Sequence, residues 1–363
     1  MKWCYIGVYY RHLPKIDVTM IRCISIDWLT MYCNSDLIVQ NKYWDWQLQK
    51  GGSAQFQKMY KVYDVEMNEL YCIVQCEPYS AIIPAKTVMV QVCNRWLYRD
   101  DWNIKFNNFC LIHNIEPKAI SRIDLCADFN HFDNNLQAEN FIRAFVENKY
   151  LKVGQTKYTL QGQQGLFQHY SYLRFGKREN EVSIYLYNKS KELREVQDKP
   201  YIRERWEAAG LNMKADVWRL EVSMHTQQLR TISRVTGECV RLDLPFLSTM
   251  GVVENVFNAA VLKYFDFRIN DGQLKKTRMK KVELFRGMSS CLELKIMQDK
   301  PKTNRMDKIV CKKLANCVTE YRLETEDQQE IIERALGLII NRCDLEDYFK
   351  VMIKPYIAKY KER

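Results

Sequence analysis

The chain has no C-x-x-C motif, although 13 cysteines are scattered along its 363 residues. An odd number of thiols without metal-ligand spacing argues against a zinc site and against a disulfide framework, and fits reduced thiols in the cytoplasm. Histidine is scarce. His12, His113, His131, His169 and His225 include no pair two or four residues apart, so no histidine-based metal cluster is visible. Nowhere do about 18 apolar residues run together, as a membrane span requires. The opening MKWCYIGVYYRHLPK has no long apolar core behind its first lysine, so a secretory signal is not expected either. A G-x-x-x-x-G-K-[ST] phosphate loop is missing, and with it the usual cradle of an ATP-driven motor. Internal repeats and low-complexity runs are also absent.

What remains is the composition of a soluble protein with a real core. The chain is 47% hydrophobic and 27% charged, and its length suits roughly two domains. Lysine and arginine total 55 against 44 acidic residues, a formal charge of +11 that biases partners towards polyanions.

Periodicity supplies the organisation. Alternation predicts strands over Cys23–Cys33 (CISIDWLTMYC), Arg122–Phe129 (RIDLCADF), His169–Phe175, Val182–Asn188 and Val217–Met224 (VWRLEVSM). The segment GKREN between the third and fourth reads as a hairpin turn. Trp102, Phe106, Phe109 and Cys110 follow helical spacing, as do Phe141, Ala144 and Phe145. Near Leu244 and Pro245 the pattern shifts. Val253, Val256, Phe257, Ala260, Val261 and Tyr264 then repeat at helical spacing, and Thr325 with Gln328 could form a capping box ahead of Ile332, Ala335, Leu336 and Ile339. The expected division is a strand-rich domain over residues 1–245 and a mostly helical region over 246–363.

Side chains two apart on a strand share a face. In RIDLCADF, Arg122, Asp124, Cys126 and Asp128 oppose an apolar set. In VWRLEVSM, Arg219, Glu221 and Ser223 do the same. Near the N-terminus, Ser25 and Asp27 oppose Ile24, Ile26 and Trp28, and in VSIYLYNKSKEL the residues Tyr185, Tyr187 and Lys189 line up opposite Ile184 and Leu186. If these strands share one sheet, their polar faces make a site. Carboxylates converging from neighbouring strands could hold Mg²⁺ or Mn²⁺, and a tyrosine hydroxyl beside them could attack phosphorus while Lys and Arg offset the developing charge. The same alternation also describes an ordinary solvated sheet face carrying surface ion pairs.

The runs SIDWLTMY, ISRIDLCADFN, YLRFGKRENEVSIYLYNKSKEL, KPYIRERWEAAGL and VWRLEVSM occur in an order and spacing that resembles the Rep_trans replication initiation family, the initiators of rolling-circle plasmids, with relatives in conjugative elements and filamentous phages. The resemblance covers Ile24 to Met224. It implies an α+β fold: an antiparallel-sheet nickase domain related to rolling-circle initiators, without their His-hydrophobic-His motif. It also implies an enzyme that nicks and rejoins origin DNA through a covalent 5′-phosphotyrosine, using Mg²⁺ or Mn²⁺. The Tyr-x-Lys motif falls on Tyr187 and Lys189, with Tyr185 the competing nucleophile and Arg219 assisting. The acidic positions fall on Asp124 and Glu221, with Asp128 the next acid along and Asp27 the match in the first strand. A conjugative relaxase with the same chemistry is one alternative, and a non-catalytic origin-binding protein or repressor is another.

Beyond this stretch the charge is concentrated. Lys275, Lys276, Arg278, Lys280, Lys281 and Arg286 crowd one short segment, and Lys308, Lys312 and Lys313 follow. Such clusters bind phosphates without reading sequence, and they fit duplex origin DNA, with Arg122 as a further contact. A solvated helix face is the plainer account of the same lysines. The expected partners are origin DNA in duplex and single-stranded form, a host helicase and polymerase, and a possible second copy of the chain. No membrane partner is expected.

Overall fold

Two long strands, β1 (Cys23–Ser35) and β6 (Ile115–Phe129), pair antiparallel and form the spine of the structure. The computed structural model describes residues 20–296, apart from 38, 40, 81–82, 164–167, 178–179, 227–228, 241, 246 and 248–249. From β1 the chain runs to one edge of the sheet and meanders back through β2 (Trp44–Leu48), β3 (Phe56–Asp64), β4 (Glu69–Pro78) and β5 (Thr87–Val92), which pairs with β1. From β6 it crosses to the opposite edge and returns through β8 (Tyr158–Gln163), β9 (His169–Phe175), β10 (Val182–Asn188) and β11 (Trp218–His225), which pairs with β6. The ten strands lie in the order β2-β3-β4-β5-β1-β6-β11-β10-β9-β8, and their pairings are antiparallel. The two halves thus share a wiring that no sequence repeat announces.

One face of the sheet is mostly apolar, with Asp64 buried in it opposite Trp44 and paired to Lys105. Leu29, Met31 and Cys33 of β1 stand beside Val92, Val90 and Val88 of β5 and, on the other side, Ile123 and Leu125 of β6. Three predicted helices cover this face. They are α2 (Trp102–Ile112), which buries Trp102, Phe106, Phe109 and Cys110; α3 (Ala138–Val146); and α6 (Met250–Tyr264), which buries Val253, Val256, Phe257, Ala260 and Val261. The same layer holds β14 (Phe267–Ile269) paired with β7 (Tyr150–Lys152), and Phe267 sits between Phe141 and Phe175. Next to α6, β15 (Leu292–Ile296) pairs with β12 (Leu229–Ser233), which also pairs with β13 (Cys239–Val240).

Residues just beyond 245 therefore share the core of the strands before them. Val256, Phe257, Val282 and Leu294 belong to one apolar cluster with Leu29 and Leu125, so no break in packing marks the expected division. The helix expected after Thr325, together with Lys308, Lys312 and Lys313, lies outside the described residues.

All five predicted strands form, and β9 and β10 pair as a hairpin through Gly176, whose φ of +91° falls where a side chain is strained. Two local expectations are corrected. A bulge between Ile26 and Trp28 shifts the register of β1, so Trp28 lies opposite Asp124 on the polar face instead of joining Ile24 and Ile26. Lys189 is not in the strand. Asn188 ends β10 and caps α4 (Lys189–Glu195), its Oδ1 accepting from the Lys191 amide at 2.8 Å, and Lys189 opens the helix.

Candidate active site on the polar sheet face

The register sets the polar side chains in rows across β6, β11 and β10. Asp128 lies opposite Arg219, and Arg219 opposite Tyr187. Cys126 lies opposite Glu221, and Glu221 opposite Tyr185. Asp124 lies opposite Ser223, and Arg122 opposite His225. Tyr172 and Arg174 of β9 extend the first two rows. The polar faces read from separate segments of sequence are thus one surface.

One end of that surface is closed over. Helices α4 and α5 (Pro200–Ala208) pack Leu193, Ile202 and Trp206 against Cys23 and Tyr98, a second apolar cluster on this side of the sheet. Beneath it, Arg219 is fully buried, and its guanidinium is the hub of a network. Nε donates to Asp128 Oδ1 at 2.6 Å, Nη2 to Asp128 Oδ2 at 2.7 Å and to the Tyr98 hydroxyl at 2.8 Å, and Nη1 to Asp27 Oδ1 at 2.6 Å. Asp128, also fully buried, accepts in addition from Trp206 Nε1 at 2.7 Å. Asp27 accepts further bonds from Tyr98 and Asn94. Burial alone would raise the Asp27 carboxyl, but Arg219 and Lys189, with the Tyr98 and Asn94 donors, hold it well below the usual carboxylate range.

The middle of the surface carries Tyr187, Tyr185, Glu221 and Asp124, with Lys189 beside them. The Tyr187 hydroxyl donates to Glu221 Oε2 at 2.8 Å. Lys189, with a relative exposure of 2%, places Nζ 5.4 Å from the centre of the Tyr187 ring and bonds both oxygens of Glu192. Burial, reinforced by Asp27 and Asp124, pushes Glu221 up to about 8, with Arg219 and the Tyr187 hydroxyl opposing. Burial and the Glu221 charge also push the Tyr187 phenol well above its ordinary value, so it rests protonated. Tyr185 is raised for the same two reasons, and Tyr172 stands 6.4 Å from each of them, ring centre to ring centre. Asp124 is 3% exposed and is gripped by Arg122, Nε to Oδ1 at 3.0 Å and Nη2 to Oδ2 at 2.6 Å. Burial nevertheless raises it.

The four acids expected to act as metal ligands therefore separate into two sets. Asp27 and Asp128 are taken up by Arg219 and its neighbours at the closed end. Asp124 and Glu221 remain, two carboxyl groups both raised by burial, with the charge of Asp124 adding to the rise at Glu221. Among the described residues no three His, Cys, Asp or Glu side chains are placed to hold a metal ion. Of this pair, Asp124 accepts from Arg122 through both oxygens and Glu221 accepts from Tyr187 through Oε2, so a divalent cation would share Asp124 with Arg122.

The basic segment lies elsewhere. Lys275, Lys276, Arg278, Lys280 and Lys281 are exposed on a loop anchored by buried Met279 and Val282, and the Ile269 amide of β14 donates to the Lys280 carbonyl. This loop belongs to the layer on the apolar face, across the sheet from Tyr187. Sequence reasoning missed Tyr98, Asn94, Trp206 and Tyr172. The first three stand outside the five predicted strands and had no alternation to expose them, whereas Tyr172 lies in a predicted strand and shares its face with Arg174.

No protein-family model and no curated protein matches this sequence. Among solved structures, the fold is similar to that of a rolling circle replication initiator protein from Geobacillus stearothermophilus, with a TM-score of 0.44 and 11% identity, over 73% of this chain and 94% of that one.

Proposed function

We propose that this chain nicks and rejoins DNA at a replication origin, with Tyr187 as the nucleophile. The observation that carries this reading is the 2.8 Å hydrogen bond from the Tyr187 hydroxyl to Glu221 Oε2, on a sheet face where Arg122, Lys189 and Arg219 supply positive charge. The phenol is protonated at rest and needs a base. Glu221 is within reach, and its raised pKa puts it near working pH, where a general base is most effective.

In the forward step Glu221 takes the phenolic proton as Tyr187 Oη bonds to phosphorus. The bond from phosphorus to the 3′ oxygen breaks, the 3′ oxygen leaves with a proton from solvent, and the 5′ phosphate stays as an ester on Tyr187. An incoming 3′ hydroxyl reverses these events and rejoins the strand, so the energy of the broken bond is retained. Asp124 and the free oxygen of Glu221 are the groups that would hold a divalent cation, whose chemistry is to polarise a phosphoryl oxygen. Arg219 acts by holding Asp27 and Asp128 in place and by presenting positive charge behind Tyr187. The released 3′ hydroxyl suits a host polymerase, and unwinding falls to a separate helicase.

Covalent capture tests the reading. Incubated with labelled single-stranded DNA that spans the candidate origins of its own element, the protein should carry label through denaturation. Tyr187→Phe should abolish the adduct and Tyr185→Phe should retain it. An adduct mapped to Tyr185 would exchange the two roles, whereas adduct formation unchanged in both variants would end the tyrosine mechanism.

A further inference from the structure

We propose that the cavity walled by Trp28, Arg122 and His225 receives one unpaired base of single-stranded DNA, stacked on Trp28. This rests on the reading that the polar face acts on DNA. The cavity, of about 810 Å³, opens at the end of the face away from Arg219, and Arg122 and His225 in its wall are the next polar positions along β6 and β11 after Asp124 and Ser223. Its size falls within the usual range for small-ligand pockets.

Trp28 is an unusual wall. The bulge after Ile26 turns it out of the apolar face, so a large aromatic ring stands partly buried on a polar surface where it contributes little to the core. Its indole N–H donates to Thr30 Oγ1 at 2.7 Å, which fixes the plane of the ring. The Arg122 guanidinium lies 4.8 Å from the ring centre while its other side grips Asp124. An arginine held over a tryptophan is the arrangement that accepts a flat heterocycle, because base, indole and guanidinium all stack through their faces. Around it, Gln91, Ser121, His225 and Arg230 bring hydrogen-bonding groups to the cavity wall, where a base would present its edge. A base still paired in a duplex cannot reach them, so the cavity selects an opened strand.

The test uses full-length Tyr187→Phe protein, which binds without forming an adduct. The probe is a 12-residue oligo-dT carrying 5-iododeoxyuridine. On irradiation the cross-link should map to the peptide bearing Trp28 or Tyr32. Trp28→Ala should weaken binding of the unmodified oligonucleotide at least about five-fold, the lower end of what one lost stacking platform costs, whereas Trp28→Phe, which keeps a ring, should hold within about two-fold. Cross-links confined to residues outside the cavity, or a dissociation constant unchanged by Trp28→Ala, would overturn the base site. Loss of binding shared equally by the Phe and Ala variants would overturn the stacking role. A parent chain that forms no adduct yet shows the Trp28 dependence would retain the base site and remove the nicking reaction.

Discussion

Replacing Arg219 with methionine keeps the bulk of the side chain and removes its charge. Four hydrogen bonds of 2.6 to 2.8 Å are lost, and the Asp27 and Asp128 carboxylates, one of them fully buried, lose the cation between them. Removing one partner of a buried pair costs about 3–5 kcal/mol, because the remaining charge has no compensation. The loss should depend on pH. In the parent, Asp27 is held below its ordinary value, so its contribution is fully present above the unfolded pKa of about 3.9 and fades only as pH falls through the lower, folded value. In the variant, burial without Arg219 raises the Asp27 carboxyl, so falling pH neutralises it and relieves part of the penalty. Urea unfolding followed by tryptophan fluorescence should therefore show a gap of about 3–5 kcal/mol at pH 7 that narrows at pH 5. Adding Asp128→Asn to the variant should recover part of it. A gap below about 1 kcal/mol, or one equal at both pH values, would refute the account of Arg219 as the cation that makes this burial tolerable.

Three further outcomes are expected. Single-turnover adduct formation should rise with pH as Glu221, raised by burial, gives up its proton, and Glu221→Gln should slow it by about 10²-fold or more and flatten the profile; a parent profile flat from pH 6 to 9 would contradict that role. Chelation with EDTA should stop cleavage, Mg²⁺ or Mn²⁺ should restore it, and Asp124→Asn should raise the metal concentration needed; full activity of Asp124→Asn in metal-free buffer would remove the cation from the mechanism. Reversing Lys276, Arg278, Lys280 and Lys281 to Glu should weaken duplex binding and flatten its salt dependence, by about one counterion per lost phosphate contact, and leave cleavage of a saturating single-stranded oligonucleotide intact. Collapse of single-strand cleavage with duplex binding unchanged would instead tie the loop to the chemistry.

The polar face was legible because strand alternation is local. Arg122, Asp124 and Asp128 declare their shared side within seven residues, as do Arg219 and Glu221 within three, and pairing these strands needed only the assumption of one sheet. The fate of each acid was not legible. Asp27, Asp124, Asp128 and Glu221 look alike in sequence, and what separates them is the partner each meets: Arg219 reaches Asp27 across 192 residues and Trp206 reaches Asp128 across 78. Trp28 was misplaced because a bulge reverses the alternation without a mark in the residues themselves. Lys189 was read as one more strand position because alternation continues past Asn188, whose capping bond to the Lys191 amide is visible only in three dimensions. The shared core across residue 245 was hidden for a similar reason, since a helical pattern says which side of a helix is apolar but not which sheet it covers.

The seam between β1 and β6 joins parts of the sheet that are synthesised at different times. Asp27 enters with the first half of the chain, Asp124 and Asp128 open the second half, and Arg219, Glu221 and Tyr187 arrive on strands completed only near residue 225. Until those strands are complete, Tyr187, Glu221 and Arg219 do not lie side by side. Opening the seam would also part Asp27 from Arg219 and leave that cation with Asp128 alone. The side-by-side placing of Asp27, Asp128, Arg219, Glu221 and Tyr187 is thereby made conditional on complete folding of both halves of the sheet.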